Sequence, residues 1–214
     1  MSSMTTLNVI KPVTMVAMSR WPSGAQSRLE RAALELFVEQ GFAETTVPQI
    51  TARAGLTTRT FFRHFADKRE VLFAYQAELP TVVANVLADT PATLGPMDAI
   101  VQGLQTVAAE LEGQRGYLLT RRGIIETDDG LRERELRKQS ILSEAIKLGL
   151  LQRGVDELTA TLTAQIAVSV FGVAVTRWLD QDEQLSLLQV LHETFTALTV
   201  FAKRLTAAAP TDEP

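Results

Sequence analysis

TTRTFFRHFADK, residues 57–68, sets three phenylalanines beside two arginines and a histidine. On a helical wheel at about 100° per residue, Phe61, Phe62, Phe65 and Thr58 fall on one half. Arg59, Thr60, Arg63 and His64 fall on the other. The pattern predicts a short amphipathic helix, aromatic inside and cationic outside. Burying one Phe side chain is worth roughly 1.5–3 kcal/mol. Two or three of them can therefore hold so short a helix against Leu36, Phe37, Ile50 and Ala54.

The residues on either side supply its neighbours. Upstream, Leu29, Ala32, Ala33, Leu36 and Phe37 form one apolar stripe, which predicts a helix over 27–40 that Gly41 ends. Thr46 and Gln49 have capping-box spacing, so a second helix starts at Val47, with Pro48 tolerated in its first turn and Gly55 at its end. Thr57 caps the third. The turn between the second and third helices is about three residues, the spacing of a helix-turn-helix, in which the second member enters the major groove. Asp67 and Glu70 repeat the capping spacing and predict a longer helix through Lys68, Val71, Leu72 and Tyr75, kinked or ended by Pro80.

Charge agrees locally. The 214-residue chain has a formal net charge of −4, yet between Thr45 and Arg69 the bases Arg53, Arg59, Arg63, Lys68 and Arg69 face Asp67 alone. Arginine can chelate guanine, and lysine can sit on a phosphate, here at a helix N-terminus whose free N–H groups favour one. The same residues also suit an amphipathic helix with a solvated basic face, and chemistry alone leaves both readings open.

TTVPQITARAGLTTRTFFRHFADKREVLF, residues 45–73, closely resembles the DNA-binding signature of the tetracycline-repressor (TetR) family of bacterial regulators, and AALELFVEQGFAETT, residues 32–46, is similar to the helix before it. The resemblance implies an all-α homodimer: a three-helix head, a linking fourth helix, and a helical body for ligand binding and dimerisation. Carried onto this chain, it gives an N-terminal arm over 1–24, a head over 25–70, a body over 71–208 and a tail over 209–214. It makes residues 57–65 the recognition helix. Thr57 and Thr60 lie on it, Thr58, Arg59 and Arg63 face bases or nearby phosphates, and Thr46, Phe62, His64 and Lys68 touch the backbone. Two positions depart from the family. Phe62 stands where Tyr is usual, which removes a hydroxyl that often bonds phosphate. Pro48 stands where a polar or basic residue is common. The arm reads as a disordered segment, and the alternative is that Lys11 and Arg20 reach into a minor groove.

Beyond a break at ADTPATLGP, residues 88–96, periodicity predicts helices near 97–112, 115–127, 131–152, 156–180 and 184–206. The fourth of these is apolar nearly all round in its second half, which demands burial on every side. The resemblance implies that this helix and the last one form a four-helix dimer interface, with Val168, Phe171, Val175, Leu188, Leu191, Phe195 and Leu198 as its candidates; burial in a single-chain core is the other way to cover them. The dimer lets two short helices read a palindromic operator on double-stranded DNA. Leu104, Val107, Leu111, Tyr117, Arg121, Ile124, Phe171 and Trp178 are candidates to line a pocket for an unknown, largely apolar or amphipathic small-molecule effector. RRGIIETDDGLRERELRK, starting at Arg121, reads as a solvated helix surface.

The chain has no cysteine and two histidines far apart, His64 and His192, so disulfides and Cys-ligated metals are excluded and no metal or other cofactor is expected. No nucleophile–base pair or phosphate loop marks an enzyme. The apolar run 166–175 is too short for a membrane span, and the start lacks the pattern of a signal peptide, so a cytoplasmic protein is expected. The leading reading is a sequence-specific DNA-binding regulator, a repressor released by its effector. The alternative is a helical interaction or carrier module with a vestigial head.

Overall fold

Five of the described α-helices begin on a side-chain oxygen. Thr46, Thr57, Asp128, Asp156 and Ser186 each accept a hydrogen bond from the backbone N–H three residues on, which satisfies a donor that the first turn leaves without a helical partner. The computed structural model describes residues 24–181 and 185–208, and its elements run α1 (Ala25–Gln40), α2 (Val47–Ala54), α3 (Thr58–His64), α4 (Leu79–Ala88), α5 (Pro96–Leu111), α6 (Arg115–Glu126), α7 (Asp129–Gln152), α8 (Glu157–Asp180) and α9 (Leu187–Ala208). Among the described residues there is no strand. The all-α expectation holds, and α5 to α9 begin and end within three residues of their predicted bounds, where these fall on described residues. The arm with Lys11 and Arg20, and the tail 209–214, lie outside the described residues.

The long helix expected from Lys68 onward is not continuous. Asp67 does cap, its Oδ1 accepting from Arg69 N at 2.7 Å and Glu70 N at 3.1 Å. Beyond that cap the chain makes two 3-10 turns, Glu70–Phe73 and Gln76–Glu78, before α4 starts at Leu79. Pro80 is the physical reason for a restart there. It has no N–H for the carbonyl of Gln76, and its ring would crowd that carbonyl in a continuing helix. In the first turn of a new helix neither penalty applies.

Burial sorts the helices into three apolar clusters. The first joins α1, α2 and α3 around Leu29, Leu36, Phe37, Ile50, Phe61 and Phe65, and takes in Val71, Leu72 and Phe73 of the connector. It also reaches Ile124 and Ile125 of α6 and Leu131 of α7. The second lies among α5, α8 and α9, with Leu118 and Leu119 of α6 against it. The third joins α4, α5, α7 and α8. The α4–α7 approach is close, because a Cβ at Gly149 would run into Leu87. The break expected at residues 88–96 is a connection inside the body. It joins α4 to α5, and α4 packs on both α7 and α5.

The apolar core of α8 extends well beyond residues 166–175. By length and composition α8, at mean hydropathy 1.8, and the segment Glu70–Ala88, at 1.3, are each apolar enough to cross a membrane. The core helix of a globular protein passes the same test. Here α8 packs on α5, α7 and α9, and 70–88 is interrupted by the 3-10 turns and Pro80. Its inner face is small, with Ala160, Ala164, Ala167 and Ala174 fully buried.

Phe61 and Phe62 separate packing from surface. Phe61→Ala should cost about 3–5 kcal/mol in urea unfolding. Phe62→Ala, at 59% exposure, should fall within about 0.5 kcal/mol of the parent.

Candidate nucleic-acid interface

The α2–α3 corner is set by backbone geometry. Gly55 adopts φ 62° and ψ 40°, a left-handed conformation that glycine takes without a Cβ penalty. Gly55 N donates to Ala52 O at 3.1 Å and Leu56 N to Thr51 O at 2.8 Å, closing α2. Arg28 of α1 reaches across to donate to the carbonyls of Ala54 and Gly55. The sequence reading missed Arg28, because its partners lie 26 and 27 residues away and are backbone atoms.

On α3 the inner face is narrower than the wheel predicts. Phe61 is fully buried, its ring 5.4 Å from Phe65. Phe62 is instead 59% exposed and meets Phe61 edge-on at 5.5 Å. Thr58, also expected inside, is exposed. A seven-residue helix buries one narrow stripe, and 61 and 65 occupy it. Thr57, Thr58, Arg59, Phe62 and Arg63 are exposed, while Thr60 and His64 are half-buried. Arg59, Thr60, Phe62 and Arg63 line a shallow concavity of about 430 Å³. Arg63 Nη2 lies 3.4 Å from His64 Nε2.

Two threonines carry the local fold. Thr57 Oγ1 accepts from Thr60 N at 3.2 Å and shares a 3.0 Å hydrogen bond with the Thr60 hydroxyl. Thr46 completes its capping box, with Gln49 N donating to Thr46 Oγ1 and Thr46 N to Gln49 Oε1 at 2.8 Å. Both are exposed.

The basic segment is not uniformly outward. Arg53 donates to both carboxylate oxygens of Glu39, at 2.9 and 2.7 Å, and lies 3.4 Å from Glu35. The Arg53 hydrogen bond holds the Glu39 carboxyl below the usual carboxylate range. Lys68 departs from the phosphate-binding role read from the sequence. Its Nζ donates to three carbonyls, Phe42 at 2.7 Å, Ala43 at 3.0 Å and Thr45 at 2.8 Å, and sits 4.5 Å from the centre of the Phe42 ring. Burial pushes its ammonium down. The N–H groups offered to a phosphate there are occupied by Asp67. Arg59 and Arg63 are left with no ion pair to any described carboxylate.

In the body, the eight candidate pocket residues divide. Leu104, Val107, Leu111, Phe171 and Trp178 meet in the second cluster. Ile124 belongs to the head cluster instead. Arg121 faces the connector, its Nε donating to Leu72 O at 2.9 Å and its Nη2 to Glu135 at 2.7 Å. Tyr117, one turn before it, is half-buried. The stretch after Arg121 is thus not simply a solvated surface: Arg121 and Arg134 both lie 5.0 Å from the centre of the Phe73 ring.

The dimer candidates divide too. Leu191 is 1% exposed within one chain, so it is withdrawn from any outer face. Val168 packs on the third cluster, and Phe171, Val175, Phe195 and Leu198 pack half-buried on the second. Leu188 is exposed. The apolar side chains that point out are Leu158, Leu162 and Val173 on α8 and Val200 and Phe201 on α9.

Comparison with known proteins agrees with this arrangement. The profile of "Bacterial regulatory proteins, tetR family" matches residues 30–75. The HTH-type transcriptional regulator TcmR of Streptomyces glaucescens is 31% identical over 179 residues, covering 78% of this chain and 79% of that one. SrpR of Pseudomonas putida, also an HTH-type transcriptional regulator, is 29% identical over 191 residues, covering 81% and 84%. Among solved structures the fold is similar to a SmeT–triclosan complex, with TM-score 0.59 and 20% identity over 81% of this chain and 90% of that one. It is also similar to Thermus thermophilus FadR with lauroyl-CoA, with TM-score 0.53 and 22% identity over 88% and 97%. The chain belongs to the tetR family of bacterial regulatory proteins.

Proposed function

We propose that this regulator is a cytoplasmic homodimeric repressor that holds a palindromic operator and is released from it by a small, largely apolar effector. The observation that carries the reading is the face of α3. Arg59 and Arg63 are exposed with no ion pair to a described carboxylate, flanked by Thr58, Thr60 and Phe62, on a helix held rigidly from behind. Cations that stay unspent in an acidic chain are suited to phosphates and guanine edges. In this reading residues 25–70 form the DNA head and 71–208 the body. Thr46, Thr57 and His64 border the contact, and Lys68 supports it from inside.

Two heads need a second copy. The outward Leu158, Leu162 and Val173 lie on one face of α8 at helical spacing, and Leu188, Val200 and Phe201 are exposed on α9. Exposed apolar side chains in a row mark an interface. A twofold axis there would present two recognition helices to half-sites about 34–36 Å apart. The effector is assigned to the second cluster, around Leu104, Val107, Leu111, Phe171 and Trp178. Structures of this fold that hold triclosan or lauroyl-CoA favour such an amphipathic occupant. Binding there shifts the spacing of the heads by no more than the effector's preference for one state.

The deciding experiment is selection of random duplexes by the purified protein. A palindromic winner is expected, and no enrichment at low salt from folded protein would remove the proposal. On that winner, Arg63→Ala should reduce the dependence of log Kd on log salt by about one phosphate's worth if it touches the backbone. If it reads guanine, it should instead lose about 1–3 kcal/mol of base discrimination. Lys68→Met should leave the salt slope unchanged and lower the thermal midpoint. Leu162→Glu together with Val173→Glu should give a folded monomer by light scattering. Dimer retention would move the interface elsewhere.

A further inference from the structure

The junction between connector, α6 and α7 holds more positive charge than its own carboxylates balance. Glu135 of α7 is shared by two cations, Arg121 Nη2 at 2.7 Å and Lys138 Nζ in a short ion pair. The side chains are 13% exposed for Arg121 and 26% for both Glu135 and Lys138. The charged groups that act on Lys138 are Arg121 and Glu135. Arg134, the next cation along the same face, is already balanced by Glu70. Glu30 of α1, which acts on Tyr117 from the head side, is 2% exposed. Its carboxyl is raised above the usual range by burial and accepts from Gln26 at 3.0 Å, and no ion pair joins it to Arg121 or Lys138. The trio thus carries one surplus positive charge at low exposure, where such a charge is costly unless an anion joins it.

The same trio touches the mechanical link to the head. Besides Glu135, Arg121 holds Leu72 O through Nε at 2.9 Å and covers one side of the Phe73 contact that Arg134 also makes. One guanidinium therefore joins this partly exposed, cation-rich cluster to the connector that carries α1–α3. Tyr117, on the same face of α6, adds a hydroxyl and an aromatic ring at its edge.

We propose that the effector is an amphipathic anion whose carboxylate, sulfonate or phenolate is bound by Lys138 and Arg121, and that this contact weakens the hold of Arg121 on Leu72 and Phe73. This deepens the effector reading above and rests on it. The acidic group competes with Glu135 for the two cations, and the apolar part lies along the body helices. An anion that draws Arg121 away from the connector favours a different placement of the head. By linkage, DNA that favours the held connector must weaken the anion by the same factor.

The test uses full-length dimer and two fluorescent probes that differ by one charged group, anilinonaphthalene sulfonate and its uncharged counterpart phenylnaphthylamine. The sulfonate is expected to bind at least about tenfold more tightly, a step of one power of ten in Kd. Lys138→Met should abolish that preference, Lys138→Arg should keep it, and the selected operator duplex should displace the sulfonate. Thermal midpoints report folding, and Lys138→Gln serves if the Met variant does not fold. Equal binding of both probes, indifferent to Lys138, overturns the anion site and leaves an apolar effector pocket standing. Binding of neither probe to folded protein overturns the pocket as well.

Discussion

A helix of seven residues has too few hydrogen bonds to persist in water on its own, since isolated helices below about 12–15 residues are marginal. α3 exists because Phe61 and Phe65 are buried against α1 and α2 and because Thr57 starts it. The proposed DNA contact depends on this. The aromatic anchor fixes the rotation of α3, and the rotation decides which side chains stand in solvent. Had Phe62 taken the inner place, Arg59 would have turned toward the α1–α2 groove, and the cations would have faced protein.

The distribution of positive charge obeys the same logic. Arg28, Arg53 and Lys68 are spent within the protein, on carbonyls of the α2–α3 corner, on Glu39 and on three carbonyls of the α1–α2 turn. Helix C-termini leave carbonyls without partners, and Lys68 gathers those just beyond α1 into one ammonium. Such use ties α1, α2 and the chain after α3 together and leaves these groups out of the proposed DNA contact. The sequence count of five bases between Thr45 and Arg69 therefore overstates the reading surface. Arg59 and Arg63 owe their availability to the absence of a nearby acidic partner on their own helix.

Local signals explain why much of this was legible in the chain. Capping pairs, Gly41 and Gly55, and 3.6-residue periodicity are properties of a few adjacent residues, and they placed α1–α3 and the helices of the body. The rotation of α3 was only half legible, because a short wheel with three aromatic residues permits more than one inner face. Phe62 shows the ambiguity: its wheel position said inside, the family pattern said DNA, and it stands 59% exposed. Long-range pairing was not legible. Arg121 finds Leu72 O 49 residues away, and Arg134 finds Glu70 64 residues away. The sequence marks neither partner. The surface of α8 was obscure for a different reason. An all-round apolar pattern says that every face is covered without saying by what, so Leu191, buried within one chain, and Leu162, exposed, look alike as letters.

The connector is where these constraints meet. A continuous helix would transmit motion from body to head as a rigid rod. Here the rod is interrupted, with 3-10 turns from Glu70 to Glu78 and a restart forced at Pro80. 3-10 geometry has weaker hydrogen bonds than an α-helix, so this segment draws its placement from side chains outside it. Phe73 lies in the head cluster on one side and under two guanidiniums on the other. Ile124, Ile125 and Leu131 bring α6 and α7 into that same cluster. The head is therefore seated on the body through packing and ion pairs as much as through the chain itself. α6 and α1–α3 thus share the contacts that give the connector its placement.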